Sequence, residues 1–215
     1  MKFLYGLGGA NVPVIKDFEL SYVNMNIEPG FVVKCNEDGK VTSNTYDKIL
    51  GVAAETHTGK NDILNPRNDS KKLRVDITRY GVYRADAPRI VVSKAGSATS
   101  VYTRAVDMSS IMNNSLLVLV EKGEGSENTD AIGTARKISS YLSENPDNVI
   151  TVASGSISYP GDIYAIVPCV GDEFPVSEDY TTISYSIGNG GKVKIVGRDV
   201  EKGTIDVILK ETIFD

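Results

Sequence analysis

The chain has 215 residues, 41% hydrophobic and 24% charged, with a formal net charge of -5 and a sequence pI of about 5.0. This balance excludes a disordered chain, which needs low hydrophobicity and high net charge. It also lacks the basic footprint that draws proteins to nucleic acid or anionic membranes, so neither is expected as a partner.

At this length one or two domains are expected, with a core large enough to need no disulfide staple. The only cysteines are Cys35 and Cys169, and neither has a second cysteine or a histidine at ligand spacing, which leaves no zinc site. Cys35 shares a strand face with Phe31 and Val33 and reads as a small buried hydrophobe. No disulfide is expected between the two. Gly6, Gly8, Gly9 and Asn11 interrupt the apolar start Phe3-Leu4-Tyr5 before it reaches the length of a signal-peptide core, and no segment approaches the length of a membrane helix. The expectation is a chain made and kept in the cytoplasm of the cell that makes it.

In chain order, residues 1–27 mix Gly, Asn and isolated aromatics without sustained periodicity. They read either as an N-terminal arm that orders against another surface or as an ordinary first strand. Residues 28–106 read as a β-barrel-like module. It opens at Pro29-Gly30, and Glu37-Asp38-Gly39 between alternating apolar residues predicts a hairpin over 31–41. The density of turn formers from His57 to Asp69, among them Gly59, Asn61, Asn65 and Pro66, predicts a long surface excursion. Leu73, Val75 and Ile77 alternate with Arg74, Asp76 and Thr78, the period of a strand with one dry face. Further strands are predicted at 89–93, 100–106 and 116–121.

Residues 107–148 read as a connector with a short helix. The stretch 122–130 is rich in Gly, Glu, Ser and Asn. Beyond it Ile132, Ala135, Ile138 and Leu142 recur at spacings of three and four, with Thr129 or Asp130 as a cap and Pro146 as a stop. Residues 149–215 read as a second β module, with strands at 149–153, 163–167, 182–187, 192–196 and 204–209. Strands this short, at this spacing and with one helix, predict a mainly β fold of small antiparallel barrels or sandwiches.

The residues offer little chemistry, and none is assigned as catalytic, cofactor-binding or metal-binding. His57, the sole histidine, lies in Glu55-Thr56-His57-Thr58-Gly59, where a solvated loop histidine is expected rather than half of a nucleophile pair. Gly188-Asn189-Gly190-Gly191-Lys192 fails the phosphate-loop spacing and precedes a strand, so it reads as a hairpin turn. Gly6-Leu7-Gly8-Gly9 lacks the preceding strand of a dinucleotide fingerprint. Asp172, Glu173, Glu178 and Asp179 form the densest acidic cluster and read as a solvated loop rather than an opposed acid pair. The Asx-rich 61–69 loop lacks the ordered oxygen spacing of a calcium loop.

The order Gly30-Phe31-Val32-Val33, then Ile49-Leu50-Gly51-Val52-Ala53-Ala54-Glu55, then Leu73-Arg74-Val75-Asp76-Ile77 closing on Tyr80-Gly81-Val82-Tyr83, resembles the head decoration, or cement, proteins of tailed bacteriophages. The likeness covers residues 28–92 and departs at the long 57–69 loop and in the extended C-terminal half. It lies in scaffold positions such as Gly51 and Gly81 and carries over no functional residue.

The resemblance implies a structural virion protein rather than an enzyme. It would bind the outer capsid surface after synthesis in the host cytoplasm, with the major capsid protein as partner, and would form a homo-oligomer, a trimer being favoured. Phe3, Tyr5, Phe18 and Tyr22 are the candidate partner-binding anchors, able to add a strand or an apolar plug to a neighbour. The alternative is a carbohydrate- or receptor-binding β module of a phage fibre or surface protein, with Tyr159, Tyr164, Tyr180 and Tyr185 as stacking surfaces. A hydrolase built on Asp172, Glu173 and Glu178 is the remote third reading.

Overall fold

The structure is a computed structural model and describes residues 1–7, 12–21, 25–42, 48–58, 72–104, 115–144, 146–153, 155, 158–176 and 192–213. Among the described residues every regular element is a β-strand. The first nine are β1 (Lys2–Gly6), β2 (Ile15–Glu19), β3 (Val32–Cys35), β4 (Val41–Thr42), β5 (Lys48–Ala53), β6 (Lys72–Asp76), β7 (Gly81–Asp86), β8 (Arg89–Val91) and β9 (Ser100–Thr103). The rest are β10 (Leu116–Glu121), β11 (Ala135–Leu142), β12 (Asn148–Val152), β13 (Ile163–Val167), β14 (Glu173–Pro175), β15 (Lys192–Asp199) and β16 (Thr204–Lys210).

The chain forms two compact units, and neither is a single stretch of sequence. One comprises Met1–Ala85, Glu173–Val196 and Asp206–Asp215; the other comprises Asp86–Asp172 and Gly197–Ile205. These divisions differ from the consecutive 1–27, 28–106, 107–148 and 149–215 segments expected from composition. Residues 107–148 hold β10 and β11, which are inner strands of the second unit's sheet. The polar stretch after Glu121 is the loop between them.

In the first unit β2, β6, β5, β3 and β4 form one sheet in that order, with antiparallel pairing throughout. The alternation expected at 73–77 holds only in its first half: Leu73 and Val75 are fully buried while Lys72 and Arg74 face water, but Asp76 and Thr78, expected on the wet face, are buried and Ile77 is only half-buried. They join Leu20, Ile27, Val33, Cys35, Val41, Leu50 and Ala53 in one apolar cluster, with Phe18, Met25, Phe31 and Ile77 packed against it. The Asp38-Gly39 hairpin forms as predicted, with Gly39 at φ 76 and β3 paired to β4 through Cys35 and Val41. A second sheet of the order β1-β7-β16-β15-β14 contributes to the same unit.

Of the two readings of residues 1–27, the described part forms strands paired within this chain. Lys2 and Phe3 lie opposite Arg84 and Tyr83, and Ile15 to Glu19 run antiparallel to β6. The Met1 amino group donates to the Gly30 carbonyl at 2.6 Å. A Cβ at Gly30, whose φ is 92, would stand 2.6 Å from Met1 backbone atoms, so glycine lets the first residue close down on the 28–31 turn.

The second unit holds a six-stranded antiparallel sheet of the order β8-β13-β10-β11-β12-β9. Leu117, Leu119, Ile138, Ile150 and Ile166 are buried in it. A lone bridge between Val92 and Thr103, supported by Ser93 N donating to Tyr102 O at 2.9 Å, links the ends of the row without a continuous ladder.

The helix expected at 132–142 is corrected to a strand. Ala135–Leu142 pairs with β10 on one side and β12 on the other. Its register slips between Ile138 and Ser140, a bulge that inserts one residue and breaks strict alternation. Of the apolar residues whose spacing suggested a helix, only Ile138 is buried, and Ala135 is exposed. Ile132 and Leu142, read as core positions of a helix, are 60% and 56% exposed.

Candidate functional site

The most organised polar site in the first unit surrounds the turn from β6 into β7. Asp76 is buried, and its Oδ1 accepts bonds from Thr78 N at 2.9 Å and Thr78 Oγ1 at 2.5 Å. This is the Asx geometry that lets a short acidic side chain shape its own turn. Thr78 Oγ1 in turn accepts from Val14 N at 2.8 Å, and Val14 O accepts from Ile77 N at 2.8 Å. One carboxylate thereby fixes both the turn and the start of β2.

The two glycines at the centre of the resemblance converge here. A Cβ on Gly51 would stand 2.1 Å from the Asp76 carbonyl oxygen, and one on Gly81 would stand 2.9 Å from the Tyr83 ring. Both positions need glycine because backbone or ring occupies the space. Beside them lies a cavity of about 20 Å³, the size of one water, lined by Leu50, Asp76, Thr78, Tyr83, Leu209 and Thr212 among others. The Tyr83 hydroxyl is buried and makes no hydrogen bond of good geometry among the described residues, with Asp76 and Thr78 close by. Burial pushes its pKa up, and the nearby Asp76 carboxylate adds to the effect.

On the outside of the same turn, Tyr80 holds φ 55 and is 49% exposed. The Arg79 guanidinium carbon lies 5.1 Å from the centre of its ring. Leu7 N donates to Tyr80 O at 3.1 Å, which brings the end of β1 alongside.

The candidate anchors fall as follows. Phe3 is half-buried and meets Tyr83 edge to face, with ring centres 5.7 Å apart and planes at 71°. Phe18 is half-buried against the apolar cluster of its unit. The Tyr5 backbone lies opposite Val82, while its side chain and all of Tyr22 lie outside the described residues. Sequence reasoning missed Arg79 and Tyr80. The available signal was an aromatic immediately before Gly81 at a strand junction.

The other motifs resolve into structure. His57 is 2% exposed, correcting the expectation of a solvated loop, and its backbone exchanges two 2.8 Å bonds with Ile27. Asp172 Oδ2 accepts from Cys169 N at 3.2 Å, and Glu173 opens β14. Glu178, Asp179, Tyr180, Tyr185, the 61–69 loop and the 188–191 turn lie outside the described residues. Cys35 is buried and Cys169 half-buried, both as thiols. Among the described residues no group of three or more His, Cys, Asp and Glu side chains could hold a metal ion.

In the second unit Asp162 is fully buried. Its Oδ1 accepts from Gly123 N at 2.9 Å, and its Oδ2 accepts from Asn128 Nδ2 at 2.9 Å and Tyr159 N at 3.1 Å. Burial alone would raise its pKa, but bonds from Asn128, Gly123, Ser126 and Tyr159 outweigh it and hold the carboxyl below the usual range. Its donors come from the 123–128 loop and the 159–162 turn, so this carboxylate is a clasp between them. Tyr164 is buried and bonded to Asn128 at 3.0 Å, and the Tyr159 hydroxyl lies 3.3 Å from Glu127.

No family model, curated protein or solved structure matches the chain. Function is therefore argued from the fold and from the surfaces it presents.

Proposed function

We propose that this chain is a structural virion protein of a tailed bacteriophage that binds the outer capsid surface and stabilises the expanded head. The observation that carries the reading is the position of the N-terminal strands: among the described residues β1 is outermost in one sheet of the first unit and β2 in the other, bridged to β4 only past its end, from Leu20 to Val41. An edge strand presents backbone donors and acceptors to a neighbouring chain, the basis of strand addition between proteins. The resemblance to decoration proteins lies in the order of the 30–33, 49–55, 73–77 and 80–83 segments, and two of its scaffold positions, Gly51 and Gly81, line one small cavity.

Such a protein acts by binding one state of the shell better than another. Preference for the expanded over the precursor shell shifts the equilibrium and adds heat resistance by mass action. A homo-oligomer, with a trimer favoured, gains avidity by engaging several copies of the major capsid protein at once. The net charge of -5 suits an outer surface away from packaged DNA. The alternative sugar-binding reading is less well supported, because the burial of Tyr164 removes one of its proposed stacking faces.

The test uses expanded and precursor shells of the encoding phage, prepared without this protein. Added protein is expected to sediment with expanded shells in preference to precursors and to raise their disruption temperature. Shells equally heat-resistant with and without it overturn the proposal.

A further inference from the structure

We infer that the rim of the 77–80 turn, made by Leu7, Val12, Val14, Arg79 and Tyr80, is the surface that the first unit sets against the capsid subunit, and that the subunit presents there an apolar group beside a carboxylate. This inference rests on the capsid reading and names the site and chemistry of contact. Among the described residues ten large hydrophobic side chains are exposed, and four of them belong to this rim: Leu7 at 57%, Val12 at 72%, Val14 at 46% and Tyr80 at 49%. Exposed apolar residues scattered singly need no explanation, but a contiguous patch marks a contact surface.

Hydrogen bonds bring these segments side by side: Leu7 N reaches Tyr80 O, Ile77 N reaches Val14 O, and Val14 N reaches Thr78 Oγ1. Val12 is two residues from Val14. Three separate stretches of chain thus place apolar side chains around one turn.

The rim is also preorganised. Tyr80 is one of two described non-glycine residues with positive φ, a conformation that disfavours a side chain with a Cβ. Such outliers persist where surrounding structure over-determines them and concentrate at functional surfaces. Here the Asp76–Thr78–Val14 bonds fix the turn from beneath. Tyrosine and arginine are the residue types that dominate interface energetics, and a fixed ring loses little entropy on binding.

Charge selects the partner chemistry. Arg79 is exposed, and no carboxylate of the described residues lies within ion-pair distance of it, although the chain has 28 acids against 23 bases. Its guanidinium lies against the Tyr80 ring, which leaves in-plane N–H groups suited to a bidentate carboxylate. A carboxylate held among apolar groups satisfies both features.

The test measures co-sedimentation with expanded shells for wild type and for Arg79→Glu, Tyr80→Gly and Val12→Lys, each checked for a wild-type circular dichroism spectrum and melt. Val12, 72% exposed and outside the turn, serves if a turn variant folds poorly. Wild type is expected to bind, each folded variant to lose about 10-fold or more in affinity, and Arg79→Glu to show a weaker dependence on salt. Folded variants that bind as wild type does overturn this inference and leave the capsid reading standing. Failure of wild type itself to bind shells overturns the capsid reading and this assignment together.

Discussion

Tyr80 and Gly51 are both set by the same turn, yet substitution at each has an opposite expected effect on stability. Tyr80 occupies a left-handed conformation that disfavours every residue except glycine by roughly 1–2 kcal/mol. Tyr80→Gly is therefore expected to leave the melting temperature unchanged or raise it, read by thermal denaturation, while removing an exposed ring. Gly51→Ala drives a methyl group into the Asp76 carbonyl and is expected to cost about 3 kcal/mol in urea denaturation. Asp162→Asn puts an amide where three N–H donors converge, at an expected cost of about 2–3 kcal/mol. The folded Asp162 carboxyl is held below its usual range. The stability it contributes is complete above its unfolded value of about 4 and is lost as pH falls through the folded value. The acid limb of the stability curve is thus expected to be shallower in Asp162→Asn than in wild type.

The first two strands show how element-level detail constrains association. Because Val14 directs both its backbone N and O toward the β6 side, alternation turns the backbone of Ile15, Asp17 and Glu19 outward. Two copies of β2 meeting antiparallel through those groups have three registers of greatest overlap. They oppose Asp17 with Asp17, Lys16 with Lys16, or Asp17 with Glu19, and each sets like charges across the seam. Ahead of Leu20, which is bridged to Val41, the β2 edge therefore resists pairing with its own copy while staying open to a different strand. Replacing Lys16 and Asp17 together by Thr is expected to raise self-association, read as a higher sedimentation coefficient at equal concentration. For β1, Phe3 packs on Tyr83 within the free chain, so deleting residues 1–7 is expected to cost about 2–4 kcal/mol of stability without any partner present. An arm that orders only on a shell would leave the melt unchanged. The misread 132–142 element belongs to this scale too: Ile132, Ala135 and Leu142, spaced as on a helix face, are exposed, and pairing with β10 and β12 sets the element as a strand.

At the scale of the whole molecule, chain order and unit membership diverge. In the first unit β16 lies between β7 and β15, although the chain reaches it only after all of β8 to β13. A fragment of residues 1–106 keeps β1 and β7 but loses β16, β15 and β14 from the same sheet, so it is expected to lack cooperative unfolding by circular dichroism. The sequential division at 106 thus cuts through a sheet that spans the chain.

Local signals settled much of this protein. Asp38-Gly39 specified its hairpin and Leu73-Val75 their buried face, because turn preference and period-two burial are properties of neighbouring residues. Composition by itself determined a folded, acidic, β-rich chain. Only tertiary structure decided that His57 is buried, that 135–142 is a strand, and that Gly51 and Gly81 serve the same turn. It alone gathered Leu7, Val14 and Tyr80 into one rim. Those outcomes depend on which distant backbone arrives alongside, and strand pairing between segments dozens of residues apart leaves no periodic trace in either segment alone.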